Sequence, residues 1–102
     1  MRIIKRAKLE EFWLRHPDSE SSLRRWYDLT KAAEWQTFIK VKETFPAADS
    51  VIIRSGKACI VFDIAGNHYR MIAAIHYKTH IVYVLKILTH KEYDIGKWRN
   101  EL

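Results

Sequence analysis

Two stretches of this 102-residue sequence carry side chains whose chemistry breaks the pattern around them. Arg70 interrupts the otherwise apolar run from Tyr69 to Ile75, and in Thr89-His90-Lys91-Glu92-Tyr93-Asp94 every residue after the threonine is titratable. Gathered at one place, an arginine, a lysine, a histidine and a tyrosine suit the cleavage of RNA. That reaction takes a proton from a 2′-hydroxyl, returns one to the leaving 5′-oxygen and builds negative charge on phosphorus. Histidine and tyrosine can move the protons, while arginine and lysine hold the charge. Arg70, His90, Lys91 and Tyr93 are therefore the candidate catalytic residues. Tyr93 or Trp98 could also stack an unpaired base, as aromatic side chains do in readers of single-stranded RNA.

Each feature also has a purely structural account. A guanidinium in an apolar strand must be paired or must line a wet groove, and Asp63 on the neighbouring strand is the available partner for an ion pair. The Thr89 to Asp94 segment reads equally as a solvated turn entering a helix, with Thr89 or Asp94 as its cap. Lys86 repeats the Arg70 anomaly: strict alternation puts it on one face with Val82, Val84, Leu88 and His90. Four tryptophans, Trp13, Trp26, Trp35 and Trp98, read mostly as core, with Trp35 and Trp98 expected at the surface.

Other chemistries lack their parts. His76 and His80 stand four apart but across an expected turn, so metal-ligand spacing is missing and no metal or cofactor is expected. Neither a glycine-rich phosphate loop nor a nucleophile elbow is present. Cys59 lies in the apolar run Ala58 to Phe62, which reads as a buried thiol with no disulfide partner.

The elements that must position these residues fall into two halves. Arg6 to His16 reads as a first helix with Ala7, Leu9, Phe12 and Trp13 mostly on one side, preceded by a brief apolar start at Ile3 and Ile4 and closed by Pro17. Asp18 or Ser19 can cap a second helix through Leu23, Trp26, Tyr27 and Thr30, giving a helical hairpin, and Thr37 can open a short third helix carrying Phe38, Val41 and Phe45. After Pro46 the period becomes two. Val51 to Ile53, Ala58 to Ile64, His68 to Tyr77 and Ile81 to about Thr89 read as strands joined by short links, hence as an antiparallel meander. On the third of these, Tyr69, Met71, Ala73 and Ile75 share one face, and His68, Arg70, Ile72 and Ala74 the other. Tyr93 to Leu102 reads as a short C-terminal helix placing Trp98 against the sheet. The expected class is α+β: a helical hairpin and short third helix packed on a twisted antiparallel four-stranded sheet.

At this length residues 1–102 have room for a single domain burying roughly 60–70% of its unfolded surface. Residues 1–50 hold 10 Lys/Arg against 8 Asp/Glu, and residues 51–102 hold 8 against 4 along with four of the five histidines. With a net charge of +6, polyanions are the expected partners through phosphate contacts and counterion release. No stretch has the apolar length of a membrane span and Met1 to Arg6 lacks that of a secretory signal. A cytoplasmic location and no membrane partner are the expectations.

Three strings, Phe45-Pro46-Ala47-Ala48-Asp49, Phe62-Asp63-Ile64-Ala65-Gly66-Asn67 followed by Tyr69-Arg70, and Leu88-Thr89-His90-Lys91-Glu92-Tyr93-Asp94, resemble the HigB-type toxins of the wider RelE/ParE toxin superfamily. The resemblance covers nearly the whole chain and is strongest from Phe45 to Asp94. It implies a RelE-like fold and the toxin of a type II toxin–antitoxin system: a ribosome-dependent mRNA endoribonuclease that blocks translation by 2′-hydroxyl attack. It also implies a cognate helix-turn-helix antitoxin, in a hetero-oligomer with the toxin. By resemblance Arg70 matches the strand arginine near the scissile phosphate, and His90, Lys91 and Tyr93 fall in the C-terminal catalytic region. Lys57 and Lys86 are looser matches to variable lysines of the site and, with Trp98, are the expected RNA-binding residues. Two other readings stay open, a ParE-like gyrase inhibitor and a non-catalytic RNA-binding module.

Overall fold

The computed structural model describes residues 1–102 and is α+β, built from five strands and five helices. Strand β1 (Arg2–Ile4) is followed by helices α1 (Ala7–Arg15), α2 (Glu20–Ala32) and α3 (Phe38–Thr44). Strands β2 (Asp49–Ile52), β3 (Ala58–Ile64), β4 (Tyr69–His76) and β5 (Ile81–Thr89) come next, then α4 (His90–Ile95) and α5 (Trp98–Glu101). No helix is long and apolar enough to cross a membrane.

The meander from β2 to β5 is antiparallel throughout, as its short connections require. The sheet nevertheless has a fifth strand. Its order is β1-β5-β4-β3-β2, and β1 runs parallel to β5 with Ile3 opposite Val82. The apolar start at Ile3 and Ile4 is therefore an edge strand, which corrects the expected four-stranded antiparallel sheet. Three residues are too few to display a period, and their partner lies nearly eighty residues away.

The helices cover one face of the sheet. Leu9 and Phe12 of α1, Leu23 and Trp26 of α2 and Val41 of α3 are buried against Phe62, Ile64, Met71, Val82 and Val84. Phe62 is the hub, with ring centroids 5.5 Å from Trp26, 6.3 Å from Trp35 and 5.2 Å from Phe45. The expected cap on α2 is absent. A 3₁₀ turn at Pro17–Ser19 leads into that helix; Ser19 Oγ donates back to the His16 carbonyl at 2.7 Å, and Asp18 accepts from the Tyr69 hydroxyl at 2.7 Å. Both side chains are taken by tertiary or preceding groups and are not free to cap.

The opposite face carries a smaller cluster, Ile53, Cys59, Val61, Ile72 and Trp98, roofed by the C-terminal segment. That segment is two helices, not one. Gly96 adopts φ +81° at the end of α4 and its N–H bonds to the Glu92 carbonyl, the left-handed closure that glycine favours. The break drops Trp98 onto the sheet at 2% exposure. Trp98 is thus core, and Trp35, also at 2% exposure with Nε1 bonded to Thr44 Oγ1, is core too. Neither tryptophan is the surface contact that the sequence suggested.

One irregularity decides which side chains meet. Between Ile72 and Ala73 the partners on β5 jump from Lys86 to Val84, leaving Leu85 as the surplus residue of a β-bulge. Val82 and Val84 face the helices, but Lys86 and Leu88 fall opposite Ile72 and Arg70 on the other face. Strict alternation had grouped these four together. The Leu85 carbonyl is taken by Lys8 Nζ of α1 at 2.7 Å, and burial, then Lys5 and Lys86 nearby, pushes the Lys8 ammonium pKa down.

Candidate functional site

The second face, where β4 begins and β5 runs into α4, gathers most of the candidate residues. Arg70 is the second residue of β4, opposite Asp63 of β3 and Leu88 of β5, and is 9% exposed. The expected ion pair exists: Nε is 3.2 Å from Asp63 Oδ1. Nη1 donates to the carbonyls of Asn67 at 3.3 Å and Tyr69 at 3.1 Å, and Nη2 donates to Asn67 Oδ1. Of the five N–H groups a guanidinium carries, three donate these hydrogen bonds, Nε stands beside Asp63 in the ion pair, and one Nη2 hydrogen has no partner. The Tyr93 ring packs over the same group, its centroid 5.6 Å from Cζ. Arg70 is therefore a cation fixed in orientation with one donor to offer.

Helix α4 supplies the rest. Thr89 caps it through a reciprocal pair of bonds: Thr89 Oγ1 accepts from the Glu92 N–H at 3.2 Å, and Glu92 Oε1 accepts from the Thr89 N–H at 3.0 Å. Thr89, not Asp94, is the cap. The His90 N–H extends the β4–β5 ladder by donating to the His68 carbonyl at 3.0 Å. His90 Nδ1 lies 2.7 Å from Asp94 Oδ2 one helical turn on. Tyr93 stacks on Trp98 at 5.3 Å with planes 15° apart, while Trp98 Nε1 donates to the Tyr93 carbonyl at 3.1 Å. Trp98 thus supports Tyr93 from below and cannot meet a base without leaving the core. Lys91 is exposed.

Lys86 lies on the face of Arg70 one alternation along β5, about 7 Å by strand rise, with Nζ 2.7 Å from Glu101 Oε2. It borders a cavity of about 310 Å³ together with Leu88, Glu92, Lys97, Trp98 and Glu101. Lys57 is not part of this group. It precedes β3 at the far end of the sheet, beside His76 and Leu102, so the structure separates it from Arg70 by most of a strand's length.

All four carboxylates of residues 51–102, Asp63, Glu92, Asp94 and Glu101, are engaged at this end of the molecule. Six basic residues of the same half, Arg54, Lys57, Lys78, Lys91, Lys97 and Arg99, make no ion pair. Of these only Lys97 borders the cavity beside Lys86; the rest spread uncompensated positive charge over this half of the surface, which suits a phosphate chain. No group of three or more His, Cys, Asp or Glu is placed to hold a metal ion. Reasoning from sequence missed the partners of the two central residues, Asn67 for Arg70 and Asp94 for His90. The His90 to Asp94 spacing of four is the helical spacing that would have revealed the second, had the helix been started at His90.

Comparison with known proteins bears on the same region. The family model for HigB_toxin, described as the RelE-like toxic component of a toxin–antitoxin system, matches residues 19–96, a span containing Arg70 and all of α4. The mRNA interferase HigB of Escherichia coli O6:H1 (strain CFT073) is 31% identical over 94 residues, covering 92% of this chain and 89% of the relative. The mRNA interferase toxin HigB of Escherichia coli K12 is 23% identical over 94 residues, covering 92% and 88%. The mRNA interferase HigB of Shigella flexneri has the same identity and coverage.

Proposed function

This chain belongs to the HigB toxin family, the RelE-like toxic component of a toxin–antitoxin system, and from that premise we propose that it is an mRNA endoribonuclease that cuts messenger on the ribosome. The observation that carries this reading is the fixed Arg70 guanidinium, with one donor still to offer, packed over Tyr93 at the start of the face that α4 borders. Arg70 and Lys91 stabilise the charge that builds on the phosphorus as the 2′-hydroxyl attacks, and His90 gives the leaving 5′-oxygen its proton. Tyr93 holds the arginine in place and borders the scissile group. Lys86 and the unpaired lysines beyond it guide the RNA backbone by charge. A cognate helix-turn-helix antitoxin restrains the activity in a complex within the cytoplasm.

Mapping mRNA 5′ ends after brief induction tests the reading, with wild type beside Arg70→Ala. New ends inside translated frames, dependent on Arg70, are expected. Growth arrest without new ends would replace it with gyrase inhibition, and RNA binding with no cut product would reduce the chain to a binding module.

A further inference from the structure

We infer that the groove between α1 and the open edge of β5 holds the substrate RNA strand by its phosphates on its way to the Arg70 face, with Lys8 and Arg15 as the contacts; the inference rests on the proposed cleavage of RNA. Strand β1 pairs only with Ile81–Tyr83, so no strand covers the outer side of β5 from Leu85 to Thr89. Helix α1 borders that gap. Lys8, Glu11, Phe12 and Arg15 of the helix and Leu85 to Leu88 of the strand line a groove of about 280 Å³. Lys86 and Leu88 border both this groove and the cavity formed with Glu92 and Trp98, so the two share a wall. The helix also leads toward the Arg70 end of the sheet: the Phe12 ring meets that of Tyr69 edge-on at 5.1 Å, and Tyr69 pairs with Thr89, the cap of α4.

An open strand edge ordinarily invites another strand, but this one is closed to it. The bulge at Leu85 interrupts the ladder, and the Leu85 carbonyl is already taken by Lys8 Nζ at 2.7 Å; a bulge and a lysine on the edge are two devices that keep strands from pairing. What the edge offers instead is charge. Lys8 keeps two of its three ammonium N–H groups, and neither Lys8 nor the exposed Arg15 has a carboxylate partner, whereas Lys86 is held by Glu101 at 2.7 Å. Glu11 is the one carboxylate of the lining, set against three cations. Burial, then Lys5 and Lys86, push the Lys8 ammonium pKa down against the opposing effect of Glu11, and an anion in the groove relieves that repulsion. Lys8 and Arg15 stand seven residues apart, two turns along one side of the helix and about 10 Å along its axis. A strand rising about 3.4 Å per nucleotide lays about three phosphates over that length.

Binding of a short single-stranded 2′-O-methyl RNA, which has no free 2′-hydroxyl to attack with, tests this across a salt series, beside cleavage of an mRNA on programmed ribosomes. Arg15→Gln and Lys8→Gln, each checked for folding by circular dichroism, should flatten the log–log salt slope of binding by about 0.7 and weaken binding about 4-fold at roughly 0.15 M salt. KM for cleavage should rise by a similar factor while kcat holds. Glu11→Gln should tighten binding, since it removes a repulsion. Wild-type affinity and slope in the folded Arg15→Gln and Lys8→Gln chains overturn the inference. Ribosomes free of messenger should bind wild type and these variants alike; a matching loss there assigns the groove to ribosomal RNA and overturns it too. So does slower hydrogen exchange at Leu85 to Leu88 with the cognate antitoxin but not with the RNA, which gives the edge to a peptide strand. Weakened RNA binding by the variants, in a chain whose wild type cuts no mRNA, leaves the phosphate groove standing and removes the nuclease reading instead.

Discussion

Arg70 shows how a residue can satisfy two accounts at once. The sequence offered an ion pair with Asp63 or a phosphate clamp, and the structure provides the ion pair while leaving one N–H unclaimed. Lysine cannot reproduce that arrangement, since a point charge lacks the planar fork. Arg70→Lys should therefore lower cleavage on the order of 10²-fold, measured against wild type on programmed ribosomes, with the fold retained by circular dichroism. Asp63→Ala should cost about 1–2 kcal/mol in denaturant unfolding, at the low end because Asp63 is 36% exposed and water replaces part of what it supplies. Tyr69 makes a separate residue-scale case. Its hydrogen bond to Asp18, then burial, then the Asp18 charge raise the phenol pKa above its usual value. An acid held protonated by the fold adds stability below its unfolded pKa, near 10, and loses it as pH rises through the folded value. Thermal melts should therefore place Tyr69→Phe below wild type at pH 8, with the gap narrowing as the pH rises above about 10. Arg70 was legible because it breaks an apolar period. Asn67 and Asp94 were not, because a polar residue in a turn or on an exposed helix breaks nothing.

Among the elements, α1, α3 and the four strands of the meander stand within a residue or two of where periodicity and turn residues put them, with β5 ending at Thr89 as expected. Those segments are long enough to repeat their pattern. Three features escaped: β1, because three residues carry no period; the 3₁₀ turn before α2, because Asp18 and Ser19 answer to tertiary partners; and the break between α4 and α5, because Gly96 was read as an ordinary helix residue. Gly96→Ala should cost about 1 kcal/mol or more through backbone strain alone, since an added Cβ would meet only the Asp94 carbonyl oxygen at 4.0 Å. Thr89→Ala removes one arm of the capping box and should cost about 1 kcal/mol by denaturant titration. Cleavage should fall with it, because the same turn aims His90 and Tyr93.

At the scale of the whole molecule, one sheet separates two tasks. The helical face carries the larger core, and the other face, roofed by only two short helices, carries the charged groups. Phe62→Ala, which empties the centre of the aromatic cluster, should cost about 3–5 kcal/mol and leave a chain too unstable for reliable activity. Sheet order and the parallel edge could not be read from local pattern, since both depend on contacts between distant segments. The bulge at Leu85 gives the molecule an arithmetic that neither face reveals alone. Parity along β5 is reset there, so Leu85 is the one position at which losing a residue would restore strict counting without exchanging sides. A chain lacking Leu85 should keep Lys86 and Leu88 beside Arg70 and still cut RNA, whereas an extra residue inserted between Lys86 and Ile87 should turn Lys86 to the helical side or break the ladder, and abolish cutting.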